Sequence, residues 1–454
     1  MKYKKIALLC LTVCATAQMV VADTLDGIWK SDGYGMIAEV KDGKARAYQI
    51  SGDICMRESA RWERLSSFLE GINITPEAGG QTALLAAPFA QHRIRVHRIP
   101  ALPAACARPA ENTPLGNFDT FAAVFAENYA FFDLYDVNWP ARVEAARAKV
   151  RPDMSDTELF RLMTGLLAPL RDGHLELNGR DGRKKLTFEP NIGRTHRALL
   201  KHAKAIGRDR EDVVDAFHEA YWKDNIRSDI LQGGGVLAGN KRVQYGVVNG
   251  DIGYLALVTV AGYSRSKPDP KRDLKAINEI METALQGFRR AGVRAVVIDL
   301  SVNYGGFDFV SRAIAERFAA ERTHAYTKYA GDADDPIRTR VMLTPSDGTR
   351  FEGPVYVMTS NVTISGGEIL TLALRALPNV THIGERTRGA LSDVLDKTLP
   401  NGWEVSLSNE VYLDSDGIAW EGQGIQPERE MTVFPEGNPA AGHLSVLRQV
   451  LGSI

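Results

Sequence analysis

The sequence predicts an α/β protein whose core is preceded by a β-rich region and a helical region. From "YGVVNGDIGYLALVTV" onward, segments with the character of strands alternate with segments with the character of helices. Before that core, apolar residues recur at helical spacing from Phe118 to about Leu170. Up to about residue 110, short apolar segments alternate with Gly and Asp turns. A chain of 454 residues, 44% of them hydrophobic, is long enough for two or three such domains.

The first 22 residues predict a secretory signal. A basic head, "MKYKK", precedes the apolar stretch "IALLCLTVCATAQMVV", and small or β-branched residues stand before Asp23. We therefore expect a mature chain that begins near Asp23 and is periplasmic or secreted, with no membrane span after signal removal. A retained membrane span is the weaker alternative because Thr12 and Gln18 interrupt the apolar stretch. Lipoprotein anchoring at Cys14 is also weaker because the preceding Val13 is bulky.

Residues 23–112 predict a small β-rich domain. Its clearest turn is "KDGK", which is typical of a two-residue hairpin loop. Removal of the signal leaves Cys55 and Cys106, an even pair in an exported chain, so we expect a disulfide between them. The alternative is that both are unpaired small residues of a core.

The rest of the chain divides at changes in composition. A Pro- and Ala-rich stretch, "ALPAACARPAENTPLG", separates the β-rich domain from the helices, and a glycine run at 233–235 breaks the second helical stretch. The aromatic cluster within the first helical stretch, Tyr129, Phe131, Phe132 and Trp139, is expected in a core rather than in a cleft. The expected units are a helical subdomain at 113–190, a helical or linker segment at 191–245, an α/β core at 246–435 and a C-terminal helix at 436–454.

The charge and the motifs of the sequence disfavour several classes of binding partner. The chain has 55 basic and 56 acidic residues with no long run of either sign, which disfavours nucleic acid and anionic membranes. Small molecules, peptides and proteins remain. No His/Cys/carboxylate cluster has ligand spacing, and no phosphate-binding glycine loop is evident, so we expect neither metal nor cofactor.

One serine stands at a position that suits a nucleophile. In "MTSNVTISGGEILTLALRAL", Ser365 lies between a probable strand and a run of helix formers. A serine at a helix N-terminus has free backbone N–H groups beside it, and the Gly366 N–H would be one donor to an oxyanion. The alternative is a helix cap, in which Ser365 and Glu368 form a capping box.

Four further segments, in order, carry a resemblance to a known family. They are "LMTGLLAPLRDGHLEL", "AVVIDLSVNYGG", "HIGERTRGALSD" and "DGIAWEGQGIQPE". Together with the Ser365 segment they resemble the C-terminal processing (tail-specific) peptidases and the catalytic core of the tricorn protease, over roughly residues 118–430. This resemblance implies serine peptidase activity on peptide or protein substrates and an α/β core of the crotonase type.

The same resemblance implies roles for individual residues. Ser365 matches the family nucleophile, and His174 in "RDGH" matches the general base of the tricorn-like branch. Glu421 in "WEGQGIQPE" matches the carboxylate that orients the base, although Asp172 is an alternative. The processing branch uses a lysine base instead, and its position here holds Ala390. The chain therefore fits the tricorn-like branch better.

Several departures from the family pattern bear on the mechanism. Gly173 stands where the tricorn-like pattern has a serine, and Ser301 replaces an arginine before the "NYGG" loop. Within that loop, Gly305 or Gly306 is expected to supply the second oxyanion N–H. No PDZ-like carboxylate loop is visible between 178 and 245, so capture of a C-terminal carboxylate by that route is not expected.

Three function classes remain open at this point. The first is an exported serine peptidase that forms an acyl-enzyme on Ser365 with His174 as general base. The second is a non-proteolytic ester or amide hydrolase that uses the same residues, since a fold and a triad do not define a substrate. The third is a catalytically silent ligand-binding protein, because the interphotoreceptor retinoid-binding proteins also resemble this family.

Overall fold

A computed structural model describes residues 25–58, 63–68, 71–265 and 267–454. The predicted signal at 1–22 lies outside these residues. The chain then begins with an eight-stranded antiparallel sheet in the order β4-β3-β2-β1-β8-β7-β6, with β5 paired to β3. Its strands are β1 Gly27–Ser31, β2 Met36–Lys41, β3 Lys44–Ser51, β4 Ile54–Arg57, β5 Glu63–Arg64, β6 Asn73–Pro76, β7 Thr82–Ala86 and β8 Ile94–Ile99.

The "KDGK" turn joins β2 to β3 as the sequence predicts. Asp42 and Gly43 both have positive φ, 50° and 68°, and Lys41 pairs with Lys44 across the turn. Two successive residues of positive φ match the twist of the flanking strands, which is why Asp-Gly is favoured there. A short helix, α1 Leu65–Phe68, also belongs to this region.

Cys55 and Cys106 form a disulfide in the structure. Cys55 lies in β4 and Cys106 in a 3₁₀ turn, Ala104–Ala107, and their Cα atoms are 4.8 Å apart. The bond fastens the segment after the sheet to its edge strand.

We predict that this disulfide stabilises the mature protein through the unfolded state. Closure of a loop with a sequence separation of 51 residues should contribute about 4 kcal/mol. Peptide mapping of the denatured, unreduced protein should recover Cys55 and Cys106 in one linked pair that separates on reduction. Recovery of both residues as free thiols would contradict the prediction. Cys55→Ser should lower the melting temperature more under oxidising than under reducing conditions.

The helical region consists of three helices and a hairpin. The helices are α2 Pro114–Asn128, α3 Trp139–Arg147 and α4 Asp156–Leu167. Residues 176–188, expected within the helical subdomain, instead form β9 Glu176–Asp181 and β10 Lys184–Phe188. β10 pairs with β9, and β9 pairs with a distant strand, β20 Glu404–Ser408, which a local pattern does not reveal. The aromatic cluster packs in the core of this region, where Tyr129, Phe131 and Trp139 are buried.

The segment that follows is helical and then returns to strands. It contains α5 Arg194–Ala205, α6 Arg210–Glu219 and a π-helical turn, Ala220–Ile230, followed by β11 Val236–Ala238 and β12 Val243–Val248. The helices pack on one face of the core sheet through Phe217, Tyr221 and Ile226.

The core is a seven-stranded sheet in the order β11-β12-β13-β14-β17-β18-β22, parallel from β13 to β22. Its remaining strands are β13 Ile252–Leu257, β14 Ala295–Asp299, β17 Val355–Thr359, β18 Val380–Gly384 and β22 Arg429–Glu430. Helices α7 Pro270–Arg290, α8 Asp308–Ala315 and α9 Gly366–Arg375 cover one face, and α10 Pro439–Ser453 covers the other with the π-helical turn. Burial on both faces explains the continuous apolar runs of these strands.

Two small sheets complete the fold. The first has the order β16-β15-β21, and the second has the order β10-β9-β20-β19. Their new strands are β15 Thr323–Ala330, β16 Thr339–Leu343, β19 Val394–Thr398 and β21 Glu410–Asp414. The second sheet brings the residues after α4 next to the residues after β18. Within the described part of the chain, no helix is both long and apolar enough to cross a membrane.

Candidate active site

Ser365 occupies a strained turn at the start of α9. Its φ of 57° and ψ of −128° lie where a residue with a side chain is rarely found. Its N–H donates to the Ala390 carbonyl at 3.0 Å and to Glu368 Oε2 at 3.2 Å. Glu368 therefore accepts the N–H of the first residue of the turn, as a capping box requires. The side chain of Ser365 is half-buried, so it remains accessible to a small group from solvent.

Glu368 does more than cap the helix. Its fully buried carboxylate also accepts hydrogen bonds from Thr387 Oγ1 at 2.5 Å, Gly389 N at 2.7 Å and Ala390 N at 2.9 Å. Burial raises the pKa of Glu368, whereas these hydrogen bonds lower it. The carboxylate fastens the Ser365 turn to the loop after β18.

The glycine loop after β14 packs directly against Ser365. A Cβ on Gly305, whose φ is 76°, would lie 2.5 Å from Ser365 Cβ and 2.9 Å from Gly366 N. The Gly305 N–H donates to Asn303 Oδ1 at 2.9 Å. Of the predicted donors, the N–H groups of Gly306 and Gly366 have no protein acceptor among the described residues. They lie side by side, since a Cβ on Gly366 would be 2.8 Å from Gly306 N.

His174 lies in the turn between α4 and β9, and that turn packs beside Ser365. A Cβ on Gly173 would lie 3.0 Å from Ala390 Cβ and 3.5 Å from Ile364 Cδ1. Ile364 precedes Ser365 in the chain, and the Ala390 carbonyl accepts the N–H of Ser365. The His174 ring is half-buried, and its buried Nδ1 has no hydrogen-bond partner among the described residues. The structure therefore brings the His174 turn to Ser365 without a hydrogen bond from Nδ1.

Several charged groups act on the His174 imidazole. Burial lowers its pKa most, and Arg388 lowers it further, whereas Asp172, Asp393 and Glu176 raise it. Asp172 also shapes the turn, because its Oδ1 accepts the His174 N–H at 2.8 Å. The net direction is downward, which favours the neutral imidazole that a general base requires.

Glu421 lies in the loop after β21, and its side chain binds the loop after β18 that carries Ala390. Its buried Oε2 accepts the N–H groups of Leu391 and Ser392 at 2.9 and 3.0 Å, whereas Oε1 has no partner among the described residues. Burial, Asp172 and Glu368 together raise the pKa of Glu421. Glu421 therefore shares the site with His174, but no hydrogen bond joins the two side chains.

Two tyrosines at this site were not identified from the sequence as functional. Tyr129 donates its hydroxyl to Asp172 Oδ2 at 3.0 Å. The buried hydroxyl of Tyr135 has no described partner, and its pKa is raised by burial, Asp172 and Glu421. The two tyrosines in "NYAFFDLYD" could have indicated a polar site near this apolar segment, because a buried tyrosine hydroxyl usually needs a polar partner.

The lysine position of the processing branch offers no base. Ala390 is fully buried there, against the Gly173 turn. Lys397 donates from Nζ to the carbonyls of Tyr34 and Gly35 at 2.6 and 2.9 Å, and burial lowers its pKa to about 8. This lysine fastens β19 to the N-terminal sheet. Across the described residues, no group of three or more His, Cys, Asp or Glu side chains is arranged to hold a metal ion.

Comparison with known proteins supports a family assignment for the core. Residues 251–431 match the model of peptidase family S41, so the chain carries a peptidase family S41 domain. The chain is 25% identical to the tricorn protease of Thermoplasma volcanium over 279 residues, which is 61% of this chain and 24% of that protein. It thus spans about a quarter of the length of that relative. The family match confirms the resemblance drawn from the motifs.

Solved structures show the same mixed α/β fold. A candidate peptidase from Parabacteroides merdae superposes with a TM-score of 0.58 at 24% identity, covering 75% of this chain and 96% of that chain. Mature CPAF complexed with lactacystin gives a TM-score of 0.51 at 11% identity, covering 75% of this chain and 98% of that chain. Both likenesses extend beyond the S41 domain, which spans only residues 251–431.

Proposed function

We propose that this chain, which carries a peptidase family S41 domain, is an exported serine peptidase that cleaves peptide bonds through an acyl-enzyme on Ser365. The observation that carries the proposal is the strained Ser365 turn, which has the N–H groups of Gly306 and Gly366 beside it and the His174 turn packed against it. A strained backbone at a helix N-terminus is a recurrent means of presenting a nucleophile.

The chemistry follows from these positions. His174 removes the proton from the Ser365 hydroxyl as the oxygen attacks the substrate carbonyl, and it returns a proton to the leaving amine. The oxyanion that develops is stabilised by the N–H groups of Gly306 and Gly366 and by the positive end of the α9 dipole. Water then attacks the acyl-enzyme with His174 again as base. The Gly305 N–H is not a donor to the oxyanion, because it donates to Asn303. Gly305 contributes by its lack of a side chain, which leaves room for Ser365.

Glu421 and Asp172 act as positioning residues in this proposal. Asp172 holds the main chain of His174, and Glu421 holds the Leu391 and Ser392 N–H groups of the loop against which the Gly173 turn packs. Gly173 lacks the hydroxyl that the tricorn-like pattern has at this place. Orientation of the imidazole therefore depends more on packing than in the family pattern.

Export and fold type are further parts of the proposal. The basic and apolar start of the sequence and the Cys55–Cys106 disulfide both suit a periplasmic or secreted protein whose signal ends before Asp23. The parallel strands with Ser365 and the Gly305–Gly306 loop at their carboxyl edge suit a crotonase-type core.

Labelling with a fluorophosphonate probe tests the nucleophile directly. We expect the purified mature protein to carry the probe on Ser365, and Ser365→Ala to take up none. Ser453→Ala, at an exposed serine near the C-terminus, is the matched control and should label as the wild type does. Labelling of a serine other than Ser365, or none at all, would contradict the proposal. Labelling without turnover of any peptide would favour an ester or amide hydrolase instead.

A further inference from the structure

A cavity of about 380 Å³ opens at the carboxyl edge of the core sheet, beside the glycine loop. Val258 and Val302 form its floor. Val258 directly follows β13, and Val302 lies three residues after β14. Tyr221 and Trp222 of the π-helical turn and Tyr304 of the glycine loop also line it. Carboxyl ends of parallel strands are where ligands bind in open α/β sheets.

The Tyr304 ring is held in place by two histidines. Its hydroxyl lies 2.5 Å from His218 Nε2 and 3.2 Å from His196 Nε2. The Tyr304 hydroxyl can donate to one of these two ring nitrogens and accept the N–H of the other. The ring is thereby fixed although 42% of its surface is exposed.

Contacts within the protein also fix the other residues that line the cavity. Tyr304 donates its N–H to the Val258 carbonyl at 2.9 Å, which joins Tyr304 to the floor. Tyr221 is buried and stacks on Trp222 with ring centroids 6.2 Å apart and an interplanar angle of 25°. These contacts make a preformed apolar surface, and binding to a preformed surface costs little ordering entropy.

The cavity is close enough to Ser365 for one peptide to reach both. Tyr304 immediately precedes Gly305, at which a Cβ would lie 2.5 Å from Ser365 Cβ. An extended peptide advances about 3.3 Å per residue. A substrate whose scissile carbonyl lies at Ser365 therefore passes the cavity within about two or three residues.

We propose that this cavity is a substrate subsite that accepts one large apolar side chain of the peptide, near the scissile bond. The inference rests on the proposed function and adds a substrate preference to it. The valines, the aromatic rings and the volume suit a leucine- or phenylalanine-sized side chain, and His218, Glu219, Lys223 and Lys241 complete the lining. A polar side chain in the cavity would lose its hydration without gaining a partner from the valines.

Scanned peptides test the subsite. The probes are fluorescein-tagged ten-residue peptides of Ala, Ser and Gly with a single leucine at each position in turn, and a matched set with asparagine. Binding is measured with Ser365→Ala, which does not turn over, and cleavage with the wild type. We expect one position at which leucine is preferred by about tenfold or more, the range that a hydrophobic pocket achieves.

Variants of the cavity identify the residues that cause the preference. Val258→Asn and Trp222→Ala, made separately, should each reduce the leucine preference to nearly one. Val247→Asn is the matched control, because Val247 lies on β12 with 39% of its surface exposed and does not line the cavity. A preference that persists in both cavity variants, or the absence of any preferred position, would overturn the inference.

The two proposals fail in different ways. If Ser365 takes up the fluorophosphonate but the peptides show no leucine preference, the subsite is wrong and the peptidase proposal stands. If Ser365 does not react and nothing is cleaved, the peptidase proposal is wrong. In that case the binding measurements with Ser365→Ala still support or overturn the apolar site.

Discussion

Replacement of His174 by alanine should lower kcat/KM by about 10⁴-fold or more for any peptide that the wild type cleaves, because Ser365 loses its base. Ser365→Ala should have a similar effect. The double variant should be little worse than either single one, because the two residues act as a unit. Steady-state kinetics measure the loss, and circular dichroism verifies that each variant is folded.

The pH dependence of kcat/KM should carry the signature of a histidine base. An imidazolium cannot accept a proton, so activity should fall as pH drops through the His174 pKa. Burial lowers that pKa, and we therefore expect the midpoint below about 6.5, the ordinary value for histidine. A lysine base would instead require a pH well above this midpoint for activity. An acid limb that persists in full in an active His174 variant would contradict the assignment.

Lys397→Met is a matched control for the base. The substitution keeps the apolar stem but removes the donor to the carbonyls of Tyr34 and Gly35. We expect a loss of stability of about 1–3 kcal/mol, because two acceptors lose their partner, and nearly unchanged kcat/KM. Glu421→Gln should lower activity less than His174→Ala, since the hydrogen bonds of Glu421 hold a loop and none of them goes to the imidazole. Full activity of His174→Ala would return Ser365 to its alternative role as a helix cap.

The sequence was informative where the chemistry is local. Ser365, Gly366 and Glu368 lie within four consecutive residues, so the strand-to-helix turn and the capping carboxylate follow from residue type and spacing. The alternation of strands and helices likewise predicted the mixed α/β core, because each element carries its own hydrophobic period. The glycines of the "NYGG" loop were expected near the nucleophile, and the structure brings Gly305 to Ser365.

Contacts between distant segments could not be predicted in this way. The pairing of β9 with β20, which brings His174 to the Ala390 loop, joins residues more than two hundred positions apart. Lys328, with only 3% of its side chain exposed, lies 2.7 Å from Asp393, 2.6 Å from Glu410 and 3.7 Å from Asp308. Hydrophobic periodicity states which face is buried but not which partner it meets, so neither contact leaves a local signal.

The lysine cluster nevertheless matters for the candidate site. Asp308 begins the helix after the glycine loop, and Asp393 follows the loop that Glu421 holds. Lys328 therefore connects the two loops that surround Ser365, and Glu410 extends the connection to Tyr34 of the N-terminal sheet through a hydrogen bond of 2.6 Å. The β-rich domain is thus in hydrogen-bonded contact with the surroundings of the site.

Gly305→Ala should lower kcat/KM by about 10²- to 10³-fold, the loss seen when one oxyanion donor is disabled. The added Cβ would lie 2.5 Å from Ser365 Cβ and 2.9 Å from Gly366 N, so the serine or the Gly366 N–H must shift. The positive φ of 76° adds strain, and we expect a loss of stability of about 1–2 kcal/mol. Most of the kinetic loss should appear in kcat, because the oxyanion exists only along the reaction path.

Gly287→Ala is the matched control, since it is the same substitution in a different environment. Gly287 lies inside α7, and a Cβ there would meet no atom within 4 Å. We expect this variant to gain about 0.5–1 kcal/mol, because alanine favours a helix interior over glycine, and to keep the wild-type kcat. Thermal unfolding measures the stabilities, and kinetics with one peptide measure both rates. If Gly305→Ala retained full kcat despite its strain, the glycine loop would not form the oxyanion site, and the donor beside Gly366 would have to come from another segment.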